Sequence, residues 1–132
     1  MERALILDTT FLVDLQREHV RGAPGPATEF LQARPDANLY LPFVVPGELA
    51  AGLAGAHRDR CEAFIAPFYL LPHTPDVSWE FGRALRHLRQ TGGTIGTNDL
   101  WIAATALAYD MPVVTANVAQ FRRVPHLEVE AY

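Results

Sequence analysis

Lysine is absent from the chain, and all eleven basic residues other than histidine are arginine. Any mechanism that needs a lysine amine is therefore excluded. Cysteine occurs once, at Cys61, which rules out an intramolecular disulfide and a cysteine-based zinc site. Cys61 reads instead as a buried or half-buried structural residue. No apolar run is long and unbroken enough to cross a membrane. The stretch from Leu39 to Ala56 comes nearest, and Pro42, Pro46, Glu48, Gly47, Gly52 and Gly55 interrupt it. Met1-Glu2-Arg3 leads straight into an apolar strand, which predicts no signal peptide. Positive charge is scarce too. The net charge of −4 weighs against a broad, non-specific nucleic-acid binder, but leaves room for an enzyme that holds a cation among acids. Together these features predict a cytosolic protein. The histidines show no H-x-x-x-H spacing, so none is assigned as a ligand or base.

What is present suits one domain over residues 1–132, since 49% of the residues are hydrophobic and supply a substantial core. Ala4-Leu5-Ile6-Leu7 reads as a strand buried on both faces. Thr10 to Glu18 reads as a helix and Val20 to Pro26 as a loop. Thr28 to Arg34 is a short helix, and Asn38 to Leu41 a strand stopped by Pro42. Helices are predicted at Val45 to Gly55 and His57 to Ala66, then a strand at Phe68 to Leu71. Pro75 to Gln90 carries Val77, Phe81, Leu85 and Leu88 on one helical face, and Thr91-Gly92-Gly93 ends it. Asn98 to Tyr109 is apolar almost all round and predicts a buried helix capped by Thr97 or Asn98. Strands follow at Pro112 to Ala116 and Leu127 to Glu130. Strands alternating with helices imply an α/β fold with a largely parallel sheet.

Acids stand out against this pattern. Asp8 follows the first strand, where ligands of open parallel sheets sit; an aspartate there also serves as a helix N-cap. Glu48 is the sole charged residue between Leu39 and Ala56. It either faces solvent or is held for a purpose, because burying an unpaired carboxylate costs several kcal/mol, roughly. Asp99 opens the buried helix, where the helix N-terminus favours negative charge. Asn117 follows the Val113-Val114-Thr115 strand with a neutral oxygen to offer, or serves simply as a turn residue. Asp14 is predicted as a solvated helix residue. Three carboxylates brought to one sheet edge would repel, and a divalent cation removes that penalty. Oxygen-only ligands select Mg²⁺ or Mn²⁺ rather than zinc.

Four stretches in order carry a family resemblance. They are Leu7-Asp8-Thr9-Thr10-Phe11-Leu12-Val13-Asp14, Pro46-Gly47-Glu48-Leu49-Ala50-Ala51-Gly52, Asn98-Asp99-Leu100-Trp101-Ile102-Ala103-Ala104 and Val114-Thr115-Ala116-Asn117-Val118-Ala119-Gln120-Phe121. Their order and spacing resemble PIN-domain proteins of the VapC toxin type across nearly the whole chain. The resemblance implies a three-layer α/β/α fold and a Mg²⁺- or Mn²⁺-dependent ribonuclease that hydrolyses RNA phosphodiesters. It implies that Asp8, Glu48 and Asp99 bind the metal, with Thr9 lending a polar group. It also implies a homodimer and a cognate VapB-like antitoxin. One departure stands out: the family generally has a fourth acid at the position of Asn117 or three residues later, and here Asn117 and Gln120 are both neutral. That departure motivates an alternative, a PIN-fold interaction module with little catalysis.

Arg83, Arg86 and Arg89 recur every three residues, either as an RNA phosphate-contacting stripe or as the solvated face of an amphipathic helix. Arg122 and Arg123 share that ambiguity. Trp79 and Trp101 read as packing or interface residues. Two other enzyme types with an aspartate at a strand end are excluded. A phosphotransfer receiver needs a lysine. A haloacid-dehalogenase-like phosphatase needs a second Asp where Thr10 stands.

Overall fold

Ala4–Leu7 forms β1, and Leu5, Ile6 and Leu7 are all fully buried. Successive strand residues point to opposite faces, so β1 is covered on both sides. A computed structural model describes this and the rest of residues 3–52 and 57–132. The remaining strands are β2 (Asn38–Pro42), β3 (Tyr69–Leu71), β4 (Val113–Val114) and β5 (Val129–Glu130). They form a sheet in the order β3-β2-β1-β4-β5, and every pairing is parallel. All strand C-termini therefore share one edge. β1 lies at the centre, and that edge receives whatever follows it.

Seven helices connect the strands among the described residues: α1 (Thr9–Arg21), α2 (Pro26–Gln32), α3 (Val45–Gly52), α4 (Arg58–Ile65), α5 (Pro75–Thr91), α6 (Thr97–Tyr109) and α7 (Val118–Phe121). With helices on both faces of the sheet, the architecture is the three-layer α/β/α expected. The end of the third predicted helix falls on residues 53–56, which lie outside the described residues, as do residues 1 and 2.

Several boundaries differ from the sequence reading, each for a local reason. The first helix does not yield to a loop at Val20. It runs on to Arg21 and stops at Gly22, whose φ of 71° lets its N–H reach back to the Glu18 and His19 carbonyls. The buried helix is not capped by Thr97 or Asn98, because it begins at Thr97 with Gly96 as N-cap and no side-chain cap bond. Pro42 closes β2 from within, as its last residue, paired with Leu71. β4 and β5 are only two residues long, although Thr115 N–H still donates to the Glu130 carbonyl at 3.0 Å. α7 was not anticipated. It is four residues long and brings Phe121 fully into the core.

α6 packs Leu100, Ile102, Ala103, Ala104 and Ala106 into the interior, as its apolar circumference requires. Cys61 is buried in α4. Asp14 is not a free solvated acid. It is half-buried and accepts a 2.6 Å bond from the Tyr132 hydroxyl, while the Tyr132 ring meets Phe11 edge-on.

Candidate active site

Asp8 immediately follows β1 and caps α1. Its Oδ1 accepts from Phe11 N–H at 2.8 Å and its Oδ2 from Thr115 Oγ1 at 2.5 Å. Cap and edge position, the two sequence readings, coincide in one side chain. Asp8 is 1% exposed. Burial pushes its carboxyl up to about 6, against the hydrogen bonds from Thr115 and Phe11, and the charges of Asp99 and Asp14 push the same way.

Glu48 stands in the first turn of α3, half-buried, and accepts from Thr9 Oγ1 at 2.7 Å. Asp99 stands in the first turn of α6 and accepts from Gln120 Nε2 at 2.7 Å. Burial raises the Asp99 carboxyl above its ordinary value, the Glu48 charge raises it further, and the Gln120 bond opposes both. Repulsion thus couples Asp8 to Asp99 and Asp99 to Glu48. The three acids come from separate segments and act on one another, and each is held by its own neutral donor.

None of the three forms an ion pair among the described residues, where the pairs are Arg3–Glu130, Arg58–Glu62 and Arg83–Glu80. The donor set is all hard oxygen and its charge is uncompensated, which suits a hard dication. As the side chains stand, no three His, Cys, Asp or Glu groups among the described residues close around a common point as a metal cage.

Other expected residues are placed as follows. Asn117 is exposed, and its backbone N–H, rather than its side chain, donates to Thr115 Oγ1 at 2.9 Å. Its link to Asp8 therefore runs through Thr115. Arg83, Arg86 and Arg89 are all exposed along α5. Arg83 lies 3.3 Å from Glu80 and lines a cleft with Asp110, at the far end of the 13-residue α6 from Asp99. Such a helix spans roughly 20 Å, so Arg83 is remote from the acids. Arg89 borders a smaller hollow with Leu100, nearer to them. A cavity of about 850 Å³ lies between α1, α2 and α4, lined by Leu15, Val20, Phe64 and Phe68 among others, and none of the three acids borders it.

Sequence reasoning missed Thr115. Its signal was a hydroxyl ending an otherwise apolar Val113-Val114 strand, and it is fully buried against Asp8.

A model of the PIN domain matches residues 5–127. The chain belongs to the PIN domain family. Among its relatives is "Ribonuclease VapC" of Rickettsia bellii, 32% identical over 95% of this chain and 93% of that protein. "Ribonuclease VapC10" of Mycobacterium tuberculosis is 30% identical over 89% and 85%. Solved structures agree on the fold. VapBC-1 from nontypeable Haemophilus influenzae gives a TM-score of 0.79 at 26% identity, covering 97% of both chains. VapBC2 from Rickettsia felis, bound to a promoter DNA fragment, gives 0.80 at 23%, covering 97% and 98%. The PIN domain is of the VapC type.

Proposed function

We propose that this PIN domain is a divalent-cation-dependent endoribonuclease, the toxin half of a toxin–antitoxin pair. One observation carries the reading. Asp8, Glu48 and Asp99 repel one another without any basic partner among the described residues, in a chain whose relatives are named ribonucleases. Perturbed carboxylates gathered at the carboxyl edge of a parallel sheet are a mark of functional sites.

Asp8, Glu48 and Asp99 would hold Mg²⁺ or Mn²⁺. When bound, the cation supplies a more acidic water and offsets charge on the phosphodiester oxygens. The chain's own part is orientation. Thr115 and the Phe11 N–H fix Asp8, Thr9 fixes Glu48 and Gln120 fixes Asp99. Each donor occupies one carboxylate position and leaves others open.

A VapB-like antitoxin belongs to the same reading, supported by the VapBC assemblies among the structural neighbours. A homodimer belongs to the same reading, and Trp79, Tyr69 and Leu70, which are 69%, 57% and 56% exposed, are apolar surface that it would cover. A cytosolic location fits the single cysteine.

Purified protein should cleave single-stranded RNA in Mg²⁺ or Mn²⁺, stop in EDTA, and lose cleavage on Asp8→Asn. Cleavage that survives EDTA sinks the metal mechanism. Absence of divalent binding by calorimetry leaves the non-catalytic PIN module as the remaining reading.

A further inference from the structure

An aromatic group stands on the sheet edge that carries Asp8. Phe43 follows β2 by one residue and His73 follows β3 by two, so both lie on the edge where β1 delivers Asp8. Trp101 comes from α6, two residues after Asp99 and so on a different face of that helix. The three rings meet edge to face: Phe43 to Trp101 at 5.6 Å, Phe43 to His73 at 5.6 Å, and His73 to Trp101 at 5.8 Å. Phe81 stacks on Trp101 at 3.8 Å and fixes it from the α5 side. Ser78 Oγ lies 2.5 Å from His73 Nε2 and holds the imidazole. Trp101 is thus a packing residue, as the sequence predicted, and the rings it supports are the exposed ones. Phe43 is 37% exposed, and among the described residues no ring stacks face to face on it.

We propose that Phe43, with His73 beside it, is a stacking platform for a nucleobase of single-stranded RNA on the sheet edge that carries Asp8. The inference rests on the ribonuclease reading and adds how the substrate is held. Three acids and a net charge of −4 leave phosphate contact at this edge to the cation of the ribonuclease reading, and the rings are the groups there that suit a base. Base stacking on an aromatic face suits unpaired RNA, whose bases are free to splay. A second copy of the chain finds more exposed apolar surface at Tyr69, Leu70 and Trp79.

The test uses a short single-stranded RNA carrying one 2-aminopurine. Binding and fluorescence quenching are read in EDTA, turnover in Mg²⁺, and oligomeric state by light scattering. Phe43→Leu keeps apolar bulk and fold but removes the ring, and Phe43→Trp keeps a ring. The leucine variant should bind roughly tenfold more weakly, lose quenching and raise KM more than it lowers kcat, whereas the tryptophan variant should stay near wild type. Unchanged RNA affinity in Phe43→Leu overturns the proposal. So does a changed oligomeric state at constant RNA affinity, which assigns the rings to a protein interface. The two readings fail separately. Ring-dependent binding without Mg²⁺-dependent cleavage removes only the catalysis; cleavage indifferent to Phe43 removes only the platform.

Discussion

Glu18 and Asp8 are both buried acids, and their surroundings push them in opposite directions. Burial alone would raise Glu18, but the backbone N–H groups of Gly25, Ala27 and Thr28 all donate to it, at 2.8, 3.1 and 2.8 Å, and hold it below its ordinary value of 4.5. A lowered folded pKa means that ionised Glu18 stabilises the fold above the ordinary value, and that this is lost as pH falls through the folded one. Glu18→Gln should therefore cost about 1–3 kcal/mol at pH 7 in a urea melt, with the gap closing in acid. A constant gap at all pH values would assign the loss to packing instead. Asp8 has the reverse sign. Its pKa rises from 3.8 to about 6, so its contribution is fully present below the ordinary value and lost as pH climbs through the raised one. In metal-free protein, Asp8→Asn should raise stability at pH 8 by an amount on the order of 3 kcal/mol and add nothing at pH 4, while RNA cleavage disappears. A lower melting temperature for the variant at pH 8 would contradict this. The acids themselves were legible because a carboxylate in an apolar run has to be accounted for. Their partners were not: Thr115 reaches Asp8 across 107 residues, and Gln120 reaches Asp99 across 21, and pairing at that distance leaves no local trace.

Helices and strands with a strong period were readable for the reason they form. α5 repeats its apolar residues every three or four positions, and α6 is apolar all round; both patterns demand burial that only a helix at that place provides. α7 has four residues and no period, since one helical turn is too short to show a face. It is specified by tertiary contact through Phe121, and it is the element that delivers Gln120 to Asp99. The α1 boundary was misread because Gly22, Pro24, Gly25 and Pro26 together resemble a long loop. The helix in fact uses the first glycine as its terminator, at a φ of 71°. A side chain added at Gly22 meets nothing within 4 Å, so Gly22→Ala tests backbone conformation without steric conflict. It should lower stability by about 1 kcal/mol and leave RNA cleavage unchanged. Equal or greater stability in denaturant titration would show that α1 does not depend on its left-handed terminator.

At the scale of the molecule, the order β3-β2-β1-β4-β5 sets where charge collects. Parallel pairing sends every strand towards the same edge, so Asp8 after β1, Thr115 after β4 and the helix starts bearing Glu48 and Asp99 converge without any local instruction to do so. Alternation of strands and helices made the parallel sheet legible, but the lateral order of the strands depends on which apolar faces pack together, and the sequence does not display that. Convergence makes the metal-free fold self-repelling at one edge, and whatever relieves the repulsion binds the native state in preference to the unfolded one. Such a ligand stabilises by about 2.7 kcal/mol at a hundredfold excess over its Kd. Mn²⁺ should therefore raise the melting temperature of the wild-type chain by several degrees at pH 8, reversibly with EDTA. Protons compete for the same carboxylates, so the rise should shrink as pH falls through about 6, where Asp8 takes up its proton. Asp8→Asn and Asp99→Asn should each blunt the rise, and Asp8→Asn should begin from the higher metal-free melting temperature. Melting curves for the two chains then approach one another as Mn²⁺ is added. Curves that stay parallel over the whole titration would mean that the acids repel one another without gathering an ion.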